Sequence, residues 1–359
     1  MKSIMKNSLW LFLVAALIGM PASAFAVTFL IGSEDIRVGA VQTDHIAPYA
    51  ITNDKIAAGT ITQDKLAFTP GGSHYANVVI VAKSGGDFTD PIAAVNSITD
   101  ASAAKPYLVK VMPGVYDLGT STLQMKAYVT LEGNGAENTI INATSAETES
   151  CNQGTVNGTI NMADNSAVKN LTVNVTGGPG NRVMVFNVWN VKASIDGVKM
   201  IAMAGIGSDG VCVGGNAGNL ELSNSIVEST TTGEGQANAV YADSGSSKAT
   251  IVRSRLFANS IVGSWGDVVN YEQTNATAVI SDSIVEGVGP VNNILNGCSG
   301  NITVTNSKIL GSCNLCVGLS MKIANSLIEG GNGSACRIEP NTPKFINNYD
   351  ENFDPIPNQ

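Results

Sequence analysis

The sequence predicts an all-β fold: a right-handed parallel β-helix, with a short amino-terminal capping helix and a stalk-like repeat ahead of it. Three observations carry the prediction. Seven strand–turn–strand units recur between residues 160 and 335. Five of the seven carry a short polar turn ending in Ser. Charged residues make up only 14% of the chain, against roughly 25% in ordinary globular proteins. Gly, Asn, Ser and Thr fill the difference, which suits many strands joined by many turns.

The elements follow in chain order. Lys2 and Lys6 precede an unbroken apolar run from Leu9 to Met20, then Pro21 and the small residues Ala22, Ser23, Ala24 and Ala26. That order predicts a secretory signal over residues 1–26, cleaved after Ala24 or Ala26. The alternative is a membrane anchor, but the run is short for a hydrocarbon core of ~30 Å. No later stretch is long and apolar enough to span, so no membrane insertion is expected once the signal is removed. Secretion or a place at the cell surface follows, with the periplasm as another possible address.

With the signal's two lysines set aside, 18 basic residues face 29 acidic ones, a net charge of −11. Such a surface disfavours nucleic acid and anionic lipid as partners. The six cysteines, an even number in an exported chain, point to disulfides. Cys313-Asn-Leu-Cys316 is followed by Val317, so no haem-attachment histidine is present. Zinc is disfavoured too, since the histidines, His45 and His74, lie far from the cysteines. No metal is expected.

Residues 27–72 form a stalk-like segment and hinge. Over 36–68, VQTDHIAPYA is followed by ITNDKIAAGT and ITQDKLAF, with Asp44, Asp54 and Asp64 at one fixed place. The apolar stripe is Val41, Ile46, Ile51, Ile56, Ile61 and Leu66. So thin a segment cannot bury a core alone, and its stripe must find another surface. It resembles the stalk repeats of phage-type and surface fibres, a resemblance that implies a homotrimer. A flexible linker with accidental periodicity is the other reading. Thr69-Pro70-Gly71-Gly72 provides the hinge.

The β-helix domain is expected over 73–338, with 339–359 as a carboxy-terminal cap or tail. VVIVAK (78–83) reads as a buried strand. Asp90 can cap a helix with Pro91 at its first position, and Ile92, Val95 and Ile98 fall at helical spacing. YLVKVMPGVY (107–116) reads as strand, turn, strand, and YVTLEGNGAENTIIN (128–142) as another pair. In this order the three segments resemble the amino-terminal region of pectin methylesterases, over about 65 residues. The resemblance implies a pectin-lyase-like β-helix. It also covers exported proteins of that fold with no known activity.

The third part is the repeat itself. VKNLTVNV (168–175), IDGVKMIA (195–202), LSNSIVES (222–229), VRSRLFAN (252–259), ISDSIVEG (280–287), VTNSKILG (304–311) and IANSLIEG (323–330) follow one another. Their starts are 27, 27, 30, 28, 24 and 19 residues apart. Periods of this size mark solenoids, and strand–turn–strand units mark a β-solenoid. Stacked turns would let short polar side chains hydrogen-bond along the axis. A compact sandwich would need no shared turn motif.

Stacking also orders the cysteines. Cys298 lies nine residues before Ser307, and Cys316 ten before Ser326. Equivalent positions on neighbouring rungs fall ~4.8 Å apart, close to disulfide reach. Cys298–Cys316 is therefore expected, then Cys313–Cys336, leaving Cys151–Cys212 by elimination.

The catalytic groups of pectin methylesterases do not carry over. That family uses a carboxylate nucleophile, a second aspartate, an arginine and oxyanion-hole glutamines. Its "QAVAL" strand finds Asn181-Arg182-Val183-Met184-Val185 here, without glutamine. Its "QDTLY" finds Ser208-Asp209-Gly210-Val211, and its "DFIFG" only Glu228. Arg253 and Arg255 lack the family's "GR" context. Asp209 reads first as a turn residue, Asp-Gly being a common turn dipeptide, and otherwise as the candidate nucleophile. A serine triad is disfavoured because neither histidine lies in the repeat region.

A calcium-assisted lyase would need converging carboxylates, whereas Glu221, Glu228, Asp243, Asp282 and Glu286 spread over successive rungs, so no cofactor is expected, with Ca2+ as the alternative. The aromatic residues Trp189, Tyr241, Trp265 and Tyr271 are candidates for stacking on sugars; the alternative is packing beneath a loop. The expectation is an exported solenoid that binds polysaccharide or a cell-surface glycan without catalysis, adhesin-like or structural. The alternative is a divergent polysaccharide esterase or lyase.

Overall fold

The computed structural model describes residues 77–148, 151, 158–243, 245–262, 265–271, 275–288, 291–297, 301–310, 313–314, 320–329, 344–346, 348–349 and 355–356. The chain divides into two units, Met1–Ser73 and His74–Gln359, and every described residue belongs to the second. The signal segment, the stalk repeat, His45 and His74 lie outside the described residues, as do Cys298, Cys316 and Cys336 and the side chain of Cys313.

The described residues form a right-handed parallel β-helix. Each full rung gives one strand to each of three sheets, two of eleven strands and one of eight. One rung runs through Lys192–Asp196, Lys199–Ala204 and Gly207–Gly214. The next runs through Asn219–Ser223, Ile226–Thr231 and Gln236–Asp243. Corresponding strands pair in parallel and in register.

Period-two alternation sets the core. In the first sheet Ile195, Leu222, Ile251, Ile280, Val304 and Ile323 share one register line and are all buried. Each such side chain contributes roughly 1.5–3 kcal/mol of apolar burial. A single continuous core results, because every rung supplies inward residues at the same positions.

The corner between the two eleven-stranded sheets follows from the shared turn motif. Asn224, Arg253, Asp282, Asn306 and Asn325 adopt left-handed backbone with φ between 48° and 52°. Asn and Asp tolerate that region better than other L-residues. The following Ser turns inward. Val198 N donates to Ser225 Oγ, Ser225 N to Ser254 Oγ, Ser254 N to Ser283 Oγ, Ser283 N to Ser307 Oγ and Ser307 N to Ser326 Oγ, at 3.1–3.2 Å. Each hydroxyl donates to the carbonyl two residues earlier. A buried serine ladder therefore runs through five turns. Asn348 closes it, its Oδ1 accepting from Ser326 N at 2.9 Å and its Nδ2 donating to Ile323 O at 2.8 Å.

The helix Pro91–Ser97 covers the amino-terminal opening, packing against Leu123–Gln124 and the first strands. Asp90 caps it by accepting from Ile92 N at 3.0 Å. At the other end, Lys344–Ile346 extends the first sheet, and Asn348–Tyr349 pairs antiparallel with Pro355–Ile356.

Two readings of the sequence need correction. The repeat is not two strands per unit but three, the third lying in the eight-stranded sheet. Asp209 is not a turn residue either. It lies inside the strand Gly207–Gly214, in register with Met184 before it and Asn238 after it. The glycine beside it is there for space: a Cβ at Gly210 would lie 2.2 Å from Val227 Cγ1 and 2.6 Å from Ala239 O.

Candidate functional site

The outer face of the eight-stranded sheet brings most of the polar chemistry together. Its central strands are Arg182–Trp189, Gly207–Gly214, Gln236–Asp243 and Trp265–Tyr271. Phe186, Val211, Val240 and Val269 form one inward register line in the core. Outward lines are set by the same register: Met184, Asp209 and Asn238 on one, Asn187, Cys212 and Tyr241 on another.

Cys151, in the segment after Thr139–Ser145, is disulfide-bonded to Cys212, with Cα atoms 5.8 Å apart and a sequence separation of 61. Met184 packs with the two cysteines, and Trp189 and Tyr241 pack around that cluster, each half-buried. Two of the four candidate aromatic residues are thus brought to one patch. Trp265 and Tyr271 lie on the Trp265–Tyr271 strand, and their side chains fall outside the described residues.

Beside this patch lies Asp209, only 5% exposed. Its Oδ1 accepts from Asn238 Nδ2 at 2.7 Å. Burial pushes the carboxyl up to about 6, against the pull of the Asn238 hydrogen bond and the positive charge of Arg182. Arg182 reaches over the next rung because Gly207 leaves room: a Cβ there would lie 2.5 Å from Arg182 Nη1. Gln236 shares a register line with Arg182 and Gly207.

Arg182, Gln236 and Asn238 escaped the sequence reading. Each is unremarkable in its own segment, and the register across rungs brings them near Asp209. Other candidates are dispersed. Glu228 lies on a strand of another sheet, Ile226–Thr231. Arg255 pairs with Glu286 at 2.9 Å, and Lys192 with Glu221 at 3.1 Å. Arg253 Nε donates to Asn224 Oδ1 in the corner turn at 2.9 Å. Among the described residues no group of three or more His, Cys, Asp or Glu could hold a metal ion.

Chemically, an ionised Asp209 beside a guanidinium could act as a nucleophile if substrate reached it. The adjacent positions on its register line hold a thioether and an amide rather than a second carboxylate. Those two positions supply no general acid for a leaving group.

No family model matches the chain, and no curated protein matches it in sequence. Among solved structures it is similar to the pectin methylesterase PemA from Erwinia chrysanthemi, with 15% identity over 80% of this chain and 92% of that one, at a TM-score of 0.47. It is similar to the pectin methylesterase from carrot, with 12% identity over 77% of this chain and 83% of that one, at 0.42. The A-module of the Azotobacter vinelandii mannuronan C-5 epimerase AlgE4 matches at 12% identity, 73% and 91% coverage, and 0.32. The parallel β-helix stands on this chain's own strand register, in which three parallel sheets share one core.

Proposed function

We propose that this is an exported, non-catalytic solenoid that binds polysaccharide along the outer face of its eight-stranded sheet. The observation that carries the reading is the pair of half-buried rings, Trp189 and Tyr241, fixed around the Cys151–Cys212 disulfide on one face. Aromatic rings held in place by packing offer stacking surfaces for sugar rings at little entropic cost. The disulfide supports an oxidising compartment. The acidic surface favours uncharged or esterified glycans over anionic ones. Residues 36–68 would hold the chains in threes, giving multivalent attachment.

A glycan array probed with the mature protein tests the reading. Binding to neutral or methylated polysaccharide that weakens at least tenfold in Trp189→Ala supports it, and unchanged binding in that variant sinks it. Light scattering tests the association: a trimer should become a monomer when residues 27–70 are removed.

A second reading is favoured by Arg182, Asp209 and Gln236 sharing this face: a divergent esterase with Asp209 as nucleophile. Methanol release from methylated pectin, lost in Asp209→Asn, would select it over the first.

A further inference from the structure

Two side chains on this face have hydrogen-bonding capacity that the fold does not use. Arg182 and Gln236 are half-buried, lie on the strands either side of Gly207 and share its register line. Neither side chain makes a hydrogen bond or an ion pair among the described residues. The guanidinium lies over Gly207, where a Cβ would come within 3.1 Å of Arg182 Cζ. Convergent polar groups left unused on a partly covered surface are the kind that fix a ligand's orientation.

The two groups ask for different things. A guanidinium only donates, whereas a glutamine amide both donates and accepts. An anion would answer Arg182 but leave the Gln236 oxygen without a donor. The Arg182 charge already acts on the Asp209 carboxyl, against the effect of burial. An acidic chain, with 29 Asp and Glu against 20 Lys and Arg, opposes an anion further. A hydroxyl offers one oxygen to both partners. An amide instead offers a carbonyl oxygen and an N–H on separate atoms of one plane. Among sugar substituents the acetamido group is neutral and carries that amide.

We propose that Arg182 and Gln236 form a subsite for the acetamido group of an N-acetylhexosamine, so that the glycan this face selects is an N-acetylated one. Arg182 donates to the carbonyl oxygen, and Gln236 Oε1 accepts from the amide N–H. Gly207 makes the arrangement possible, since any side chain there would displace the guanidinium. Arg182 opens its strand and Trp189 closes it, so the acetamido subsite and the stacking ring touch different sugars of one chain. The inference rests on the glycan-binding reading and adds to it a choice among glycans.

Calorimetric titration of the mature protein with two β-1,4-linked hexasaccharides tests it, one of N-acetylglucosamine and one of glucose, which differ in the acetamido group alone. The acetylated hexamer should bind at least tenfold more tightly. Gln236→Ala and Arg182→Ala should each cut that preference to about twofold or less, whereas Trp189→Ala weakens both hexamers and keeps their ratio. Equal affinity of the unmutated protein for the two overturns the subsite and leaves the glycan reading standing, and so does a preference that survives in both variants. Tighter binding of a galacturonate hexamer than of the acetylated one overturns it too, since Arg182 would then hold a carboxylate. Absence of binding by the acetylated hexamer also overturns it, and if the glycan array is blank as well, the glycan reading fails with it. Should a variant fail to fold, the ratio in the unmutated protein still decides.

Discussion

Ser225 and Ser254 stack one above the other inside the solenoid, the amide of Ser225 donating to the hydroxyl oxygen of Ser254 at 3.2 Å. The Ser254 hydroxyl in turn donates a hydrogen bond to Val252 O at 2.9 Å. Each rung thus satisfies a buried amide of the rung before it.

Ser254→Ala should destabilise the protein by about 1–3 kcal/mol, because the Ser225 amide is left buried without an acceptor. Ser254→Val should be no better, since bulk is not what is missing. Urea unfolding midpoints measure both, and a variant as stable as the parent would show the ladder to be incidental.

At the ladder's end the effect should be local. Asn348→Leu removes the acceptor for Ser326 N and the donor to Ile323 O. Amide exchange should accelerate within residues 320–329 and remain unchanged within 192–243, because end rungs open before inner ones. Uniform acceleration along the chain would contradict this.

Asp209 gives a pH dependence of defined sign. The folded protein holds its proton to about pH 6, whereas the unfolded chain releases it near 3.8. Its contribution is present below about pH 4 and is lost as pH rises through about 6. Asp209→Asn should flatten that fall, making the variant relatively more stable at pH 7.5 than at pH 4.5, by about 3 kcal/mol at most. Unfolding in EDTA at both pH values provides the comparison; the same pH slope in parent and variant would refute it.

Replacing Cys151 and Cys212 together by Ala should lower stability by about 2–4 kcal/mol, as expected for a bridge closing a long loop. Trp189, packed against the bridge, should change its emission. Since a mature chain cleaved after Ala24 or Ala26 would keep only Trp189 and Trp265 as tryptophans, a Trp265→Phe background isolates the signal. Unaltered emission would place Trp189 away from the disulfide in solution.

The corner turns could be read in the sequence because their cause is local. Asn or Asp followed by Ser recurs at four of the five ladder turns between Asn224-Ser225 and Asn325-Ser326, with Arg253-Ser254 the exception. The capping helix was legible for the same reason, through Asp90 and Pro91. The eight-stranded sheet was not. Gly207–Gly214 is rich in glycine and small residues, so it reads as loop, and only pairing with neighbouring rungs makes it a strand. The polar site failed for a related reason. Arg182, Asp209 and Asn238 are separated by 27 and 29 residues, and no local pattern announces that a register will bring them together.

The three strand pairings that follow Asn219 share one offset: Asn219 meets Lys248, Ile226 meets Arg255 and Ala237 meets Gly266, each 29 residues on. A segment that repeats with the same offset in all three sheets is an interchangeable part. Excising residues 219–247 would bring Lys248 after Gly218, and every later strand would inherit the neighbour its predecessor had. Doubling the same segment would lengthen the molecule by one step of about 4.8 Å. Size in this protein is accordingly a whole number, open to insertion or loss of complete turns and closed to anything between.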